Sequence, residues 1–149
     1  MRFNRVVPML SLVLMFGLSA LAQDSSIYKH RVKQADIALK HDYPLPGEVL
    51  KLGKELGLSA EQLNKLKSVQ STLDLKERET GISAARNEKM LDSLFRTGKV
   101  NEGVIIFYTN RYGLYEGEYR GAVLLACHQT HKLLTPAQLT KLKSLQNHN

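Results

Sequence analysis

Residues 133–146 read "LLTPAQLTKLKSLQ", and residues 57–70 read "GLSAEQLNKLKSVQ". Offset by 76 positions, Leu58, Gln62, Leu63, Lys65, Leu66, Lys67, Ser68 and Gln70 recur as Leu134, Gln138, Leu139, Lys141, Leu142, Lys143, Ser144 and Gln146. Where the two copies differ, Ser59 is replaced by Thr135 and Ala60 by Pro136. Ser and Thr are both good helix N-caps, and Pro is favoured at the first helical position, so each copy predicts a helix start. The hydroxyl of Ser59 or Thr135 is expected to accept from the backbone N–H of Gln62 or Gln138. That glutamine in turn reaches back to the cap's own N–H, and Leu58 or Leu134 precedes the cap as a hydrophobic staple. Each cap should be worth about 1 kcal/mol.

The rest of the chain agrees with helices. A first amphipathic segment is expected from Ser26 to Lys40, with Ile27, Val32, Ala35 and Leu39 at helical spacing. Pro44 and Pro46 break it, and a short helix from Pro46 to Leu56 should end at Gly57. A long third helix runs from Ala60 to Arg96, its middle "DLKERETG" being either solvated or broken at Gly81. "RTGKVNEG" then turns the chain into a fourth helix from Glu102 to Leu133. At about 100° per residue, Tyr108, Tyr112, Tyr115 and Tyr119 share one side of it, an expected helix contact, and Gly113, Gly117 and Gly121 the opposite side. Each mid-helix glycine costs about 1 kcal/mol relative to Ala, so this line predicts either close approach of another backbone or a bend. The fold class expected is all-α: a long antiparallel helical hairpin with short flanking helices, four to five in all.

Composition bounds the function. The chain has 149 residues, 43% of them apolar, enough for one domain with a real core. Residues 1–22 carry Arg2 and Arg5 ahead of an apolar run ending in Ala20-Leu21-Ala22, the pattern of a secretory signal with its cleavage site. A retained membrane anchor is the competing reading, because Val6–Ala22 approaches the length that spans a bilayer. No cysteine lies near that site, which argues against a lipid anchor. The single domain is therefore expected over 23–149. Without residues 1–22 the chain loses two of its 21 basic and none of its 14 acidic residues, leaving a net charge of +5. The excess is uneven: Arg120, Lys132, Lys141 and Lys143 have no acid after them, and Lys29, Arg31, Lys33 and Lys40 face only Asp36 within their own segment. Such basic ends are expected either to attract acidic polypeptide or anionic headgroups or to be ordinary solvated helix faces. Nucleic acid is not an expected partner, since no binding motif for it is present. With Cys127 as the one cysteine, no disulfide can form within the chain.

An export signal, an all-helical chain and two L-[ST]-x-x-Q boxes flanking a long hairpin resemble the Spy/CpxP family of periplasmic stress proteins, including its heavy-metal-sensor relatives. The resemblance covers roughly residues 43–145, through "YPLPGEVLKLGKELGLSAEQ", "LDSLFRTGKV" and "HKLLTPAQLTKL". It implies that Leu58, Ser59, Gln62, Leu134, Thr135 and Gln138 are structural signatures, and that the molecule is a cradle-shaped, often dimeric hairpin. It further implies a periplasmic, ATP-independent chaperone holding non-native envelope proteins, or a repressor of a sensor kinase. The charge balance between Tyr43 and Glu118, eleven basic against eleven acidic residues, departs from a strongly basic cradle.

The alternative is a metal-sensing or resistance role through Cys127, His128 and His131 in "ACHQTH". Two histidines three apart share a helix face, and a thiolate with two imidazoles suits Zn, Ni, Co or Cu. The same residues are also ordinary at a helix end, where the macrodipole favours histidine and Cys packs as a small hydrophobe. A fourth ligand would have to come from His148, His41 or a second subunit. Met90 is the only methionine after residue 22, unlike a Met-rich copper carrier. No nucleophile elbow, phosphate-cradling glycine loop or HExxH pair is present, so the chain is not expected to be an enzyme.

Overall fold

The computed structural model describes residues 29–146; residues 1–22, the start of the first segment at Ser26 and Ile27, and His148, with the expectations placed on them, lie outside that range. The chain divides into two compact units, residues 1–33 and 34–149. Of the first, residues 29–33 are described and are helical. The second holds α1 (Asp36–Lys40), α2 (Pro46–Lys51), α3 (Ala60–Arg96), α4 (Glu102–Leu133) and α5 (Pro136–Gln146). Among the described residues there is no strand.

The two long helices have the bounds that the capping and breaking residues predict. Ser59 Oγ accepts from Gln62 N–H at 3.1 Å, and Ser59 N–H donates to Gln62 Oε1 at 2.9 Å. Asn101 caps α4 by accepting from Val104 N–H at 2.9 Å. Between them the chain turns through Gly98 at φ 64°, where the N–H groups of Gly98 and Lys99 reach the carbonyls of Phe95 and Leu94. That left-handed C-cap satisfies carbonyls that would otherwise be orphaned. α3 runs through Gly81 unbroken, so the polar middle is helix and not a hinge.

Two expectations change. The helix expected from Pro46 to Leu56 stops at Lys51 and continues as turns to Gly57. Leu58 N–H there reaches back to Gly53 C=O at 3.0 Å, closing a tight turn around Gly57 at φ 61°. The first segment is interrupted by a turn at Ala35 and closes at Asp42, the one described non-glycine residue at positive φ.

α3 and α4 pack antiparallel, as their cross-links demonstrate. Gln62 Nε2 donates to Leu133 C=O at 2.8 Å at one end, Tyr119 Oη donates to Glu77 midway, and Asn87 Nδ2 donates to Tyr108 C=O at 2.8 Å further on. The buried residues of α3, Leu66, Leu73, Thr80 and Asn87, recur every seven positions, a coiled-coil seam. That seam changes character along its length. Near the base it joins a leucine core of Val49, Leu56, Leu66, Leu134 and Leu142, whereas beyond Leu73 its buried positions are polar.

Candidate functional site

The repeat closes on itself. Gln62 and Gln138, the third residue of each capping box, lie side by side: Gln62 Nε2 donates to Gln138 Oε1 at 2.8 Å, and Gln138 Nε2 to Gln62 Oε1 at 3.2 Å. Each also serves its own box, Gln138 Oε1 accepting from Thr135 N–H at 2.9 Å. Gln138 N–H reaches Thr135 Oγ1 at a longer 3.3 Å. Gln62 Nε2 further holds Leu133 C=O, an orphan carbonyl at the end of α4. The staple leucines follow: Leu134 is buried in the base core and Leu58 packs against it. The two boxes are thus one joint, fixing the start of α3 against the junction of α4 and α5.

The three residues singled out for metal do not converge on one point. Cys127 is wholly buried, and burial first, with Glu48 second, pushes its thiol up to about 11. A soft cation requires the thiolate, which this setting disfavours. His128 is exposed and His131 half-buried, and both rings stack on Tyr43, at 6.2 Å and 4.2 Å between centroids. Among the described residues no group of three or more His, Cys, Asp or Glu side chains is arranged to hold a metal ion.

The tyrosine stripe divides. Tyr119 is buried with its hydroxyl on Glu77, and Tyr108 and Tyr115 are half-buried, but Tyr112 is 42% exposed. A Cβ at Gly113, Gly117 or Gly121 would meet nothing within 4 Å, so no close backbone approach explains the glycine line here.

Outside the base, the hairpin turns large apolar side chains to solvent. Leu75, Ile82 and Met90 on α3, and Ile106, Phe107 and Leu114 on α4, are 49–59% exposed. Leu75 and Ile82 are seven apart, as are Phe107 and Leu114, so each pair lies on one line of a coiled-coil helix. Between the helices, Met90, Phe107, Tyr108, Tyr115, Arg86 and Arg111 line an open groove of about 410 Å³. Arg111 anchors it, lying over the rings of Phe107 and Tyr115 and donating to Tyr115 Oη at 2.7 Å. An apolar floor beside guanidinium groups can take an apolar side chain together with a carboxylate. Sequence reading missed this surface. The signal available was the run Val104-Ile105-Ile106-Phe107, four apolar residues in a row, more than one face of a helix can bury in a two-helix arm.

Electrostatics elsewhere are ordinary. Asp36 is held below the usual carboxylate range by the Ile37 backbone N–H and then by Arg120, its partner at 2.9 Å. Lys65 lowers Glu61 in the same sense, one helical turn away.

Compared with family models, with curated proteins and with solved structures, the chain gives no match. Among the described residues, no helix is long and apolar enough to cross a membrane.

Proposed function

We propose that the protein is an envelope stress protein of the Spy/CpxP kind, binding non-native polypeptides in the periplasm without nucleotide. The observation that carries this reading is the exposed apolar surface of the α3–α4 hairpin, which includes Leu114, together with the groove in which Arg86 and Arg111 stand beside Met90 and Phe107. Contiguous apolar surface exposed on a folded domain is normally an interaction surface. An open groove without a closed cavity suits a partner of variable shape better than a small molecule. The paired boxes and the signal-like residues 1–22 support the same reading from the sequence.

The reading makes the protein a binder and not an enzyme, with unfolded envelope proteins as partners. A sensor kinase and a second copy of the chain are further partners the resemblance suggests. A metal-handling role through Cys127, His128 and His131 is weaker, because the thiol lies in the core while the imidazoles pack on Tyr43.

The test is aggregation of several reduced or heat-stressed clients, followed by light scattering. Suppression at near-stoichiometric ratio is expected, weaker at high salt, and weaker again in a Met90→Ser/Leu114→Ser variant, whose exposed positions leave the fold intact. No suppression for any of several unrelated clients would remove the proposal.

A further inference from the structure

The exposed apolar residues nearest the turn between α3 and α4 are arranged differently from those further along the hairpin. Phe95 stands one turn before Gly98, and Ile105, Ile106 and Phe107 stand within two turns after Asn101, all of them 37–59% exposed. At 1.5 Å per residue, all four lie within about 10 Å of the turn along the helix axes. Three consecutive residues at about 100° each spread over roughly 200° of the circumference of α4, and Phe95 adds a site on the other helix. The result surrounds the tip instead of forming one stripe. A peptide or the flat face of a second helix covers one stripe. A medium that surrounds the tip covers all of it.

We infer that the α3–α4 tip, through Phe95, Ile105 and Ile106 with Arg96 and Lys99, docks into the interface of an anionic lipid bilayer. Charge favours that occupant: residues 95–107, the span that holds all four apolar residues, carry Arg96 and Lys99 against Glu102 alone. Basic residues next to apolar ones are what an anionic surface attracts. Part of the turn's backbone is already paired. The N–H groups of Thr97, Gly98 and Lys99 reach the carbonyls of Ser93, Phe95 and Leu94, at 3.0–3.1 Å. Thr97 Oγ1 donates to Ser93 C=O at 2.8 Å, and Asn101 takes the Val104 and Ile105 N–H groups with its side chain and its carbonyl. Each group so paired adds little desolvation cost on entering the headgroup region, where the remaining groups still meet water and headgroups. A depth of about 5–10 Å, ordinary for interfacial segments, is the depth over which the four apolar residues are spread. The inference does not depend on client binding: of the tip's apolar residues only Phe107 also lines the groove, and the docking set Phe95, Ile105 and Ile106 lies outside it.

The chain has no tryptophan, so Phe95→Trp in the full chain gives one local reporter. Leu125→Trp, at an exposed position far back along α4, is its control. Vesicles of phosphatidylcholine with phosphatidylglycerol, and with brominated acyl chains as quencher, should shift the indole emission of the Phe95→Trp protein to shorter wavelength and quench it. The emission of the Leu125→Trp protein should stay unchanged. Apolar residues 1–22 resting on the same bilayer would not produce that local pattern. Adding Ile105→Ser and Ile106→Ser should weaken the lipid-dependent shift at least about tenfold, with circular dichroism unchanged. Four results would overturn the inference: no shift, equal quenching at both positions, an equal response to pure phosphatidylcholine, or a shift without vesicles that grows with protein concentration. The last would assign the tip to a second copy of the chain. Loss of aggregation suppression with the tip response intact would strike the chaperone reading alone.

Discussion

Replacing Gln62 with Ala tests whether the two boxes form one joint or two independent caps. Gln62 accepts from Ser59 N–H at 2.9 Å, donates to Leu133 C=O at 2.8 Å and to Gln138 Oε1 at 2.8 Å, and accepts a longer bond from Gln138. At about 1 kcal/mol net for each of the three short bonds, Gln62→Ala should cost about 3 kcal/mol. Ser59→Ala removes one cap bond and should cost about 1 kcal/mol. The pair also predicts non-additivity. With Gln138 already alanine, the reciprocal bond is gone, so Gln62→Ala should cost about 1 kcal/mol less than in the native background. Urea denaturation followed by helix ellipticity measures all four corners of the cycle. If Gln62→Ala costs no more than Ser59→Ala, or if the two glutamines add independently, the boxes are separate caps and the interlock contributes nothing.

Two further outcomes follow from the chemistry of α4. Cys127 has its folded pKa raised to about 11 from an ordinary 9.0, so its contribution to stability is complete below pH 9 and is lost as pH rises towards 11; denaturation midpoints should fall in that window less for Cys127→Ala than for the native chain. Titrating Zn, Ni, Co and Cu into the protein and its His128→Ala/His131→Ala variant should give equal weak affinities, and preferential binding to the native chain, lost as pH falls through the imidazole range, would restore the metal reading.

The fold was legible because its signals are local. Ser59, Pro136, Gly57, Gly98 and Asn101 act within one turn of themselves, and the bounds Ala60–Arg96 and Glu102–Leu133 follow from them. The limits of the short helices were less legible. Gly53 and Gly57 support a run of turns as readily as a helix end, and tertiary packing on Leu63 and Leu58 decides between them. The pairing of Gln62 with Gln138 was invisible because it joins residues distant in sequence. The repeat itself was the clue, since two equal boxes can satisfy each other across a pseudo-symmetric joint. That Cys127 lies in the core while His128 and His131 stack on Tyr43 was also beyond reach. Adjacent residues on a helix point about 100° apart, and only the position of Tyr43 and of the core decides which side is buried.

The buried positions of α3 change from apolar to polar between base and tip, and the proposed function draws on that change. In the base, leucines face inward and the two boxes lock three helices together. Along the seam the inward positions then become Thr80 and Asn87, while Ile82, Met90 and Phe107 face out. Thr80 turns its hydroxyl to its own helix, donating to Lys76 C=O at 2.8 Å. Asn87 gives one bond to Tyr108 C=O and keeps a buried Oδ1 with no partner. Neither adds the apolar burial that Leu66 and Leu73 supply, and an unpaired buried acceptor costs free energy. A buried Asn on a heptad line weakens a pairing but fixes its register. The distal hairpin therefore stays aligned without being strongly glued, and the apolar area that could have sealed the seam is placed outside. An arm organised this way gains most when something else covers its outer surface, which is the property that both a client-binding groove and a bilayer-docking tip require.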